Sequence, residues 1–305
     1  MVKQGLRWVL AVLGLVLVST GALAQRAFVG NAGNSTVVVV DLRAAKVLAS
    51  WPGFQQPWSV AFADGKVYVA EYVGRPDAPS PAGRVVELDG EGKALRVLLG
   101  AHYPMGVAAR GGKVYVASSA VDWSGQVRGK PEILVYGPEG DSPLLRSPFP
   151  AERFGYPMTL LLSSQGLYVA TTWGAVVLLD PESLGVRGAF TLPGVLNPIR
   201  GLAEDREGNL YLSGSKDGDG RLVRLPKGAF LPLPEPQNLD RFAQVLLRGL
   251  PDPWGLAFAG EELYLVTSTD PSGSGPGGLY RVEGGQAKRL LDLPTRYTLG
   301  LAIAP

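Results

Sequence analysis

Residues 57–70 read Pro57-Trp58-Ser59-Val60-Ala61-Phe62-Ala63-Asp64-Gly65-Lys66-Val67-Tyr68-Val69-Ala70. The order is a Pro, a short apolar stretch, a tight polar turn, then an apolar-Tyr-apolar run. The same phrase returns at Pro104–Ala117, Pro157–Ala170, Pro198–Ser213 and Pro253–Val266, with successive prolines 47, 53, 41 and 55 residues apart. An Asp-Gly pair between two apolar runs predicts a hairpin, because both central residues of the favoured turn need positive φ. A third run follows the hairpin (Val85-Val86-Glu87-Leu88, Ile133-Leu134-Val135-Tyr136, Val176-Val177-Leu178-Leu179), then a turn and a fourth. Four short antiparallel strands repeating near every 45 residues predict an all-β fold, a β-propeller.

The ends of the chain set the number of blades. Tyr297-Thr298-Leu299-Gly300-Leu301-Ala302 repeats the first-strand pattern of Pro253-Trp254-Gly255-Leu256-Ala257, and then the chain stops. The missing strands lie at the other end: Ala27-Phe28-Val29, Thr36 to Leu42 and Lys46 to Trp51, with Phe28 where the other repeats carry Tyr. Six blades are therefore expected, the last closed by one C-terminal and three N-terminal strands. Such closure removes the open sheet edges that invite aggregation. The repeated aromatics Tyr68, Tyr115, Tyr168, Tyr211 and Tyr264 are expected to fill the wedges between blades, each hydroxyl finding a backbone partner.

Residues 1–24 precede this pattern and read as an export signal. Lys3 and Arg7 form a basic start, Trp8 to Val18 an uncharged apolar core, and Ala22-Leu23-Ala24 a small-x-small cleavage site. The apolar core is shorter than the roughly 20 residues that span a bilayer, so cleavage rather than anchoring is expected. The expected product is a single propeller domain over 25–305, in the periplasm or outside the cell, with no membrane insertion after cleavage. The chain has no Cys, hence no disulfides and no thiol for a lipid anchor. Two of the 29 basic residues fall in the signal, which leaves 27 against 27 acidic ones. A balanced charge offers no footprint for nucleic acid.

Strand direction alternates within a blade, so loops between strands one and two, and three and four, share a face. They are short: Ala63 to Lys66, Gly111 to Lys113, Asp180 to Leu184, Glu283 to Gln286. Those on the opposite face are long and irregular: Glu71 to Gly83, Ser118 to Pro131, Ser213 to Gly220, Thr267 to Gly278. Long loops on a rigid scaffold are where binding concentrates. Equivalent positions after the second strand are Asn31, Glu71, Ser118, Thr171, Gly214 and Thr267. Those beside the first strand are Gln56 and Trp58, Tyr103 and Met105, Tyr156 and Met158, Asn197 and Arg200, Asp252 and Trp254, and Tyr297, with Trp123 and Trp173 in neighbouring loops.

From these, Asn31, Trp58, Glu71, Tyr103, Trp123, Tyr156, Trp173, Asn197, Arg200, Asp252, Trp254 and Tyr297 are the candidate ligand-binding residues. Aromatic plates among polar groups suit a small polar ligand held by stacking and a few hydrogen bonds. The plainer expectation, set against this, is that Trp58 and Trp254 plug the channel top and that Glu71 and Arg200 pair with each other or stay solvated.

The chemistry is sparse. His102 is the only His, too few for a hydrolase triad or a His-cluster metal site, and with Glu71 it is a weak candidate for a catalytic base. Asp217-Gly218-Asp219-Gly220 offers oxygens to Ca²⁺ but lacks the spacing and terminal Glu of an EF-hand, so a solvated turn is expected. Gly273-Ser274-Gly275 has no strand-to-helix context for holding phosphate.

Phrases such as Pro253-Trp254-Gly255-Leu256-Ala257-Phe258 and Gly201-Leu202-Ala203-Glu204-Asp205-Arg206-Glu207-Gly208-Asn209-Leu210-Tyr211 resemble repeats of the NHL and SMP-30/gluconolactonase-like propellers. The resemblance implies six blades. For the gluconolactonase group it implies a divalent cation such as Ca²⁺, held by a Glu, Asn residues and an Asp near the axis. Here the comparable stretches read Pro157-Met158-Thr159 and Pro198-Ile199-Arg200, without the Asn and Asp, and Arg200 would repel a cation. Leu250 to Phe258 also resembles the opening of soluble quinoprotein sugar dehydrogenases, whose catalytic His in a Gly-rich setting His102 does not reproduce.

Two functions follow as expectations. One is an exported propeller binding a small polar ligand or a partner protein through its long-loop face. The alternative is a metal- or quinone-assisted enzyme acting on a sugar or lactone, with Glu71 as metal ligand or base, Asn31, Asn197 and Asp252 in support, and Arg200 as an anion clamp.

Overall fold

The second strand of blade one, Lys66–Glu71, is buried from Val67 onward instead of alternating. A strand reads this way when both faces of its sheet are covered. The second strands of the other blades read in nearly the same way in the computed structural model, which describes residues 25–72, 83–122, 125–233 and 235–304. Six antiparallel sheets pack face against face, each with its strands in sequential order outward from the axis. Blade one runs Pro57–Ala63, Lys66–Glu71, Arg84–Leu88 and Ala94–Leu98. The innermost strands of the other blades are Pro104–Arg110, Pro157–Leu162, Ile199–Glu204, Pro253–Ala259 and Thr298–Ala304. The perimeter strands, such as Lys46–Trp51, are largely exposed.

Closure is as expected. Thr298–Ala304 pairs antiparallel with Arg26–Asn31, which continues into Thr36–Asp41 and Lys46–Trp51. The expected export segment lies outside the described residues. Among those described, the only helical turns are Ala151–Phe154 and Asp240–Phe242, and no helix is long and apolar enough to cross a membrane.

The short-turn face is built from hairpins of one kind. Asp64-Gly65 (φ 52° and 75°), Gly111-Gly112 (57° and 75°) and Gly284-Gly285 (57° and 76°) all have two consecutive positive φ values, whose twist matches that of the flanking strands. Around the axis a second repeated device joins the blades. Strand one carries Gly106, Gly201, Gly255 or Gly300 at the point where the next blade's first strand crosses closest. A Cβ at Gly106 would strike the carbonyl of Met158, at Gly201 that of Trp254, at Gly255 that of Leu299, and at Gly300 the backbone of Ser59. The two remaining blades place hydroxyls there: Ser59 Oγ accepts from Val107 N (3.3 Å), and Thr159 Oγ1 donates to the Arg200 carbonyl (2.6 Å).

Three details depart from the sequence reading. The span Ser213 to Gly220 is not a long loop: strands Leu210–Lys216 and Asp219–Leu225 run on to a two-residue turn at Asp217-Gly218, φ 52° and 82°. Gly214 thus lies inside its strand, because an Asp-Gly pair lets the ladder extend by several rungs. Blade three gains a fifth, parallel strand, Gln237–Asn238, too short to be legible in the sequence. The tyrosine hydroxyls do not share a backbone partner: Tyr115 donates to the Pro181 carbonyl, Tyr264 to Glu262, and Tyr168 has no partner among the described residues.

Candidate functional site

The register of every blade sets the start of strand one against the end of strand two: Pro57 opposite Glu71, Pro104 opposite Ser118, Pro157 opposite Thr171, Pro253 opposite Thr267, and Thr298 opposite Asn31. The long-loop face therefore gathers the equivalent positions into a ring around the axis, as the alignment expects. What the ring does is divided between two layers.

The residues at the end of strand two are buried and tie down loops. Asn31, Ser118, Thr171 and Thr267 are fully buried, and Glu71 is 1% exposed. Asn31 Oδ1 accepts from Gly33 N and Thr295 Oγ1. Thr171 Oγ1 donates to the Phe154 carbonyl, and Thr267 Oγ1 donates to the Thr269 carbonyl and accepts from Gly278 N. Glu71 takes Arg84 on both carboxylate oxygens, Nε at 2.7 Å and Nη2 at 3.1 Å. Glu71 and Arg200 do not pair with each other: Glu71 is the counter-ion of Arg84 and Arg200 that of Asp252. The reason is register, since Glu71 and Arg84 face each other on adjacent strands of one blade.

The residues that open strand one carry the mouth. Gln56, Tyr103, Asp252 and Tyr297 all have left-handed backbone, φ 48° to 61°. That conformation is uncommon for bulky residues and persists only where the surroundings enforce it. Here a repeated bond accompanies it: the carbonyls of Gln56, Tyr103, Asp252 and Tyr297 each accept from the residue following strand two of their blade, Tyr72, Ser119, Ser268 and Ala32, and Tyr156 accepts likewise from Thr172 without the left-handed φ. Two residues beyond each kink a side chain turns inward, at Trp58, Met105, Trp254 and Leu299. Trp58 (6% exposed) meets Trp254 edge to face at 5.5 Å and Tyr72 at 4.9 Å, and Tyr72 meets Tyr103 at 5.4 Å. With Met105, Met158 and Leu299 these rings close the axis at this end.

Beside the plug lies one charged pair. Arg200 sits with its guanidinium carbon 4.8 Å over the Trp254 ring and Nη1 against Asp252 Oδ1. Asp252 Oδ2 also accepts from Trp254 Nε1 (3.1 Å) and from Ser268 Oγ. Desolvation depresses the Arg200 pKa, and burial pushes the Tyr72 hydroxyl well above the usual phenol range. Tyr72 and Ser268 were not among the sequence candidates. They stand one residue beyond Glu71 and Thr267 in the alignment, so the repeat itself held the signal.

Further out, Trp173 (57% exposed), Tyr297 (48%) and Asn197 are open to solvent, and Tyr156 is half-buried. Trp123 lies outside the described residues. His102 is half-buried, its Nδ1 has no partner among the described residues, and its backbone N–H and carbonyl are tied to Ser118 Oγ.

A divalent cation of the gluconolactonase kind does not match this donor set. Arg200 occupies a position where an oxygen is needed, the Thr159 hydroxyl is engaged with the Arg200 carbonyl, Glu71 is taken by Arg84, and the described residues hold no group of three His, Cys, Asp or Glu able to ligate a metal. The Asp217–Gly220 segment is a hairpin turn whose Asp219 carboxylate is occupied by Arg221, Arg248 and Gly249 N.

No protein-family model matches the chain, and no curated protein matches it in sequence. Among solved structures it is similar to a protein of unknown function from Bacteroides caccae, at TM-score 0.62 and 12% identity, over 92% of this chain and 98% of that one. It also matches the computationally designed Ika8 protein, at TM-score 0.44 and 15% identity, over 89% of this chain and 72% of that one. At such identity the first likeness speaks for the fold alone.

Proposed function

We propose that this chain is an exported β-propeller, of the NHL and SMP-30-like kind, that binds a polar ligand or a partner protein on the surface of its long-loop face. The observation that carries the reading is the placement of exposed aromatics. Among the described residues only Trp173, Phe242 and Tyr297 are exposed large aromatic side chains, and two of the three stand on this face. Exposed Trp and Tyr are the side chains most enriched at binding hot spots, since they contribute large contact area at small entropic cost. Asn197, exposed beside Gly174 on the same face, adds an amide for hydrogen bonding. Because Trp58, Tyr72 and Tyr103 close the axis beneath, whatever is captured rests on the face and does not enter from it. Export rests on the composition of residues 1–24.

The test compares the wild type with a Trp173→Ala/Tyr297→Ala variant. Both are immobilised and exposed to a panel of saccharides and sugar lactones, and to a soluble extract of the envelope of the source cell. Capture should be lost in the variant while its melting temperature stays put. Capture unchanged by the double substitution would remove the site assignment.

A further inference from the structure

The axis of the propeller is a cavity of about 230 Å³ lined by the first strands of all six blades. Its ends differ. At the long-loop end Trp58, Met105 and Leu299 are buried, with Trp254 and Arg200 half-buried beside them. At the short-turn end Phe62, Leu162 and Ile303 are half-buried and Arg110 is exposed. The cavity is thus shut on the face with the long loops and reached from the face with the short turns.

Two features make the inside polar. Each first strand is the inner edge of its sheet, so one row of its backbone N–H and C=O groups has no strand partner and looks into the cavity. Many of its side chains turn away into the gaps between blades: Val60 and Phe62 pack on one side of blade one, Ala61 and Ala63 on the other. The second feature is Arg200 at the shut end. Its side chain makes one ion pair, through Nη1 to Asp252, and no other hydrogen bond with a described residue. A guanidinium carries five donors in a planar fork that matches a carboxylate, so most of the fork remains to be used. A largely desolvated cation gains from a second anionic or strongly accepting partner.

We propose that the cavity admits a small carboxylate from the short-turn face and seats it on the Arg200 fork, with its remaining polar atoms on the free strand edges. At about 30 Å³ per water-sized group, the volume holds roughly eight non-hydrogen atoms. This limits the ligand to small acids upward from acetate, which has four such atoms, with benzoate, at nine, marking the upper bound. The site does not depend on capture at the long-loop face, because the aromatic plug separates the two.

The experiment titrates acetate, pyruvate and benzoate into purified protein and follows tryptophan fluorescence, since Trp58 and Trp254 line the cavity. Acetamide and benzamide serve as neutral controls. At least one acid is expected to bind saturably and at least about tenfold more tightly than its neutral partner, a factor worth about 1.4 kcal/mol. Arg200→Gln should erase that preference. Because this variant leaves Asp252 unpaired and can lose stability, Leu162→Trp/Ile303→Trp, which narrows the open mouth at two half-buried positions, is measured beside it and should abolish binding. Absence of saturation by all three acids, equal binding of acid and amide, or undiminished binding in the narrowed variant each overturns the proposal. The Trp173→Ala/Tyr297→Ala variant should bind the acids as the wild type does, and a loss there would equally overturn it by moving the acid site to the other face.

Discussion

The side chain of Thr159 donates a 2.6 Å hydrogen bond to the backbone carbonyl of Arg200, linking the innermost strand of blade three to that of blade four. The equivalent point in blade four is Gly201, whose missing Cβ leaves room for the carbonyl of Trp254 in blade five. A ring of such joints holds six sheets that share no hydrogen-bonded ladder with one another.

The joints should be intolerant of bulk. Gly201→Ala and Gly106→Ala place a methyl against a backbone carbonyl in a packed ring, where overpacking costs typically about 1–3 kcal/mol. Thr159→Val keeps the volume and removes the bond, for a loss of about 1 kcal/mol. Urea denaturation would check this, and a Gly201→Ala protein as stable as the wild type would show that the blades can separate there.

Glu71 should behave as a structural anion. Glu71→Gln leaves the Arg84 guanidinium, itself partly buried, without its charge partner and should destabilise by about 1–3 kcal/mol. Arg84→Ala should cost a similar amount, and a double-mutant cycle should show the two strongly coupled. Additive effects would mean that the pair is not the source.

The six tryptophans of the chain should divide by position, as two of them show. Trp58→Ala empties the plug and should cost about 3–5 kcal/mol, as large aromatics in cores do. Trp173→Ala removes an exposed ring and should stay within about 0.5 kcal/mol. Equal effects at the two sites would contradict the plug.

Alkali should unfold the protein cooperatively. Burial pushes the Tyr68 and Tyr264 hydroxyls up to about 12, and those of Tyr136, Tyr168 and Tyr72 upward as well. Each folded pKa lies above its unfolded value near 10, so the folded chain holds these protons more tightly. Their stabilisation is complete below that value and is lost as pH rises from about 10 through the folded pKa. Tyrosinate absorbance and loss of the sheet signal should therefore appear together. Ionisation of all tyrosines in a still-folded protein would disagree.

The repeat was legible because propeller blades are built locally. A two-residue turn and two apolar runs are neighbours in sequence, so Asp64-Gly65 and Val67-Tyr68-Val69 announce their hairpin without help from the rest of the chain. Closure was legible too, since a lone first-strand pattern at Thr298–Ala304 needs the three strands at the other end. In blade four the two positive φ values at Asp217-Gly218 carry the hairpin on to Lys216 and Asp219, so the loop length expected from the other blades does not apply there.

The long-loop face was only half legible. Alignment located the ring of residues but not which of them look outward, because neighbours along a strand point opposite ways and a bulge shifts that alternation at Pro57/Ser59 and its equivalents. Local periodicity thus determined the fold class, the blades, the closure and the identity of the long-loop face. The packing of six blades around one axis decided that Glu71 belongs to Arg84 and Arg200 to Asp252, and that the rings of Trp58 and Tyr72 close the axis on that side while its cavity opens on the other. Those relations join residues tens of positions apart in different sheets, and their distances are set by how the sheets meet, which no single repeat contains.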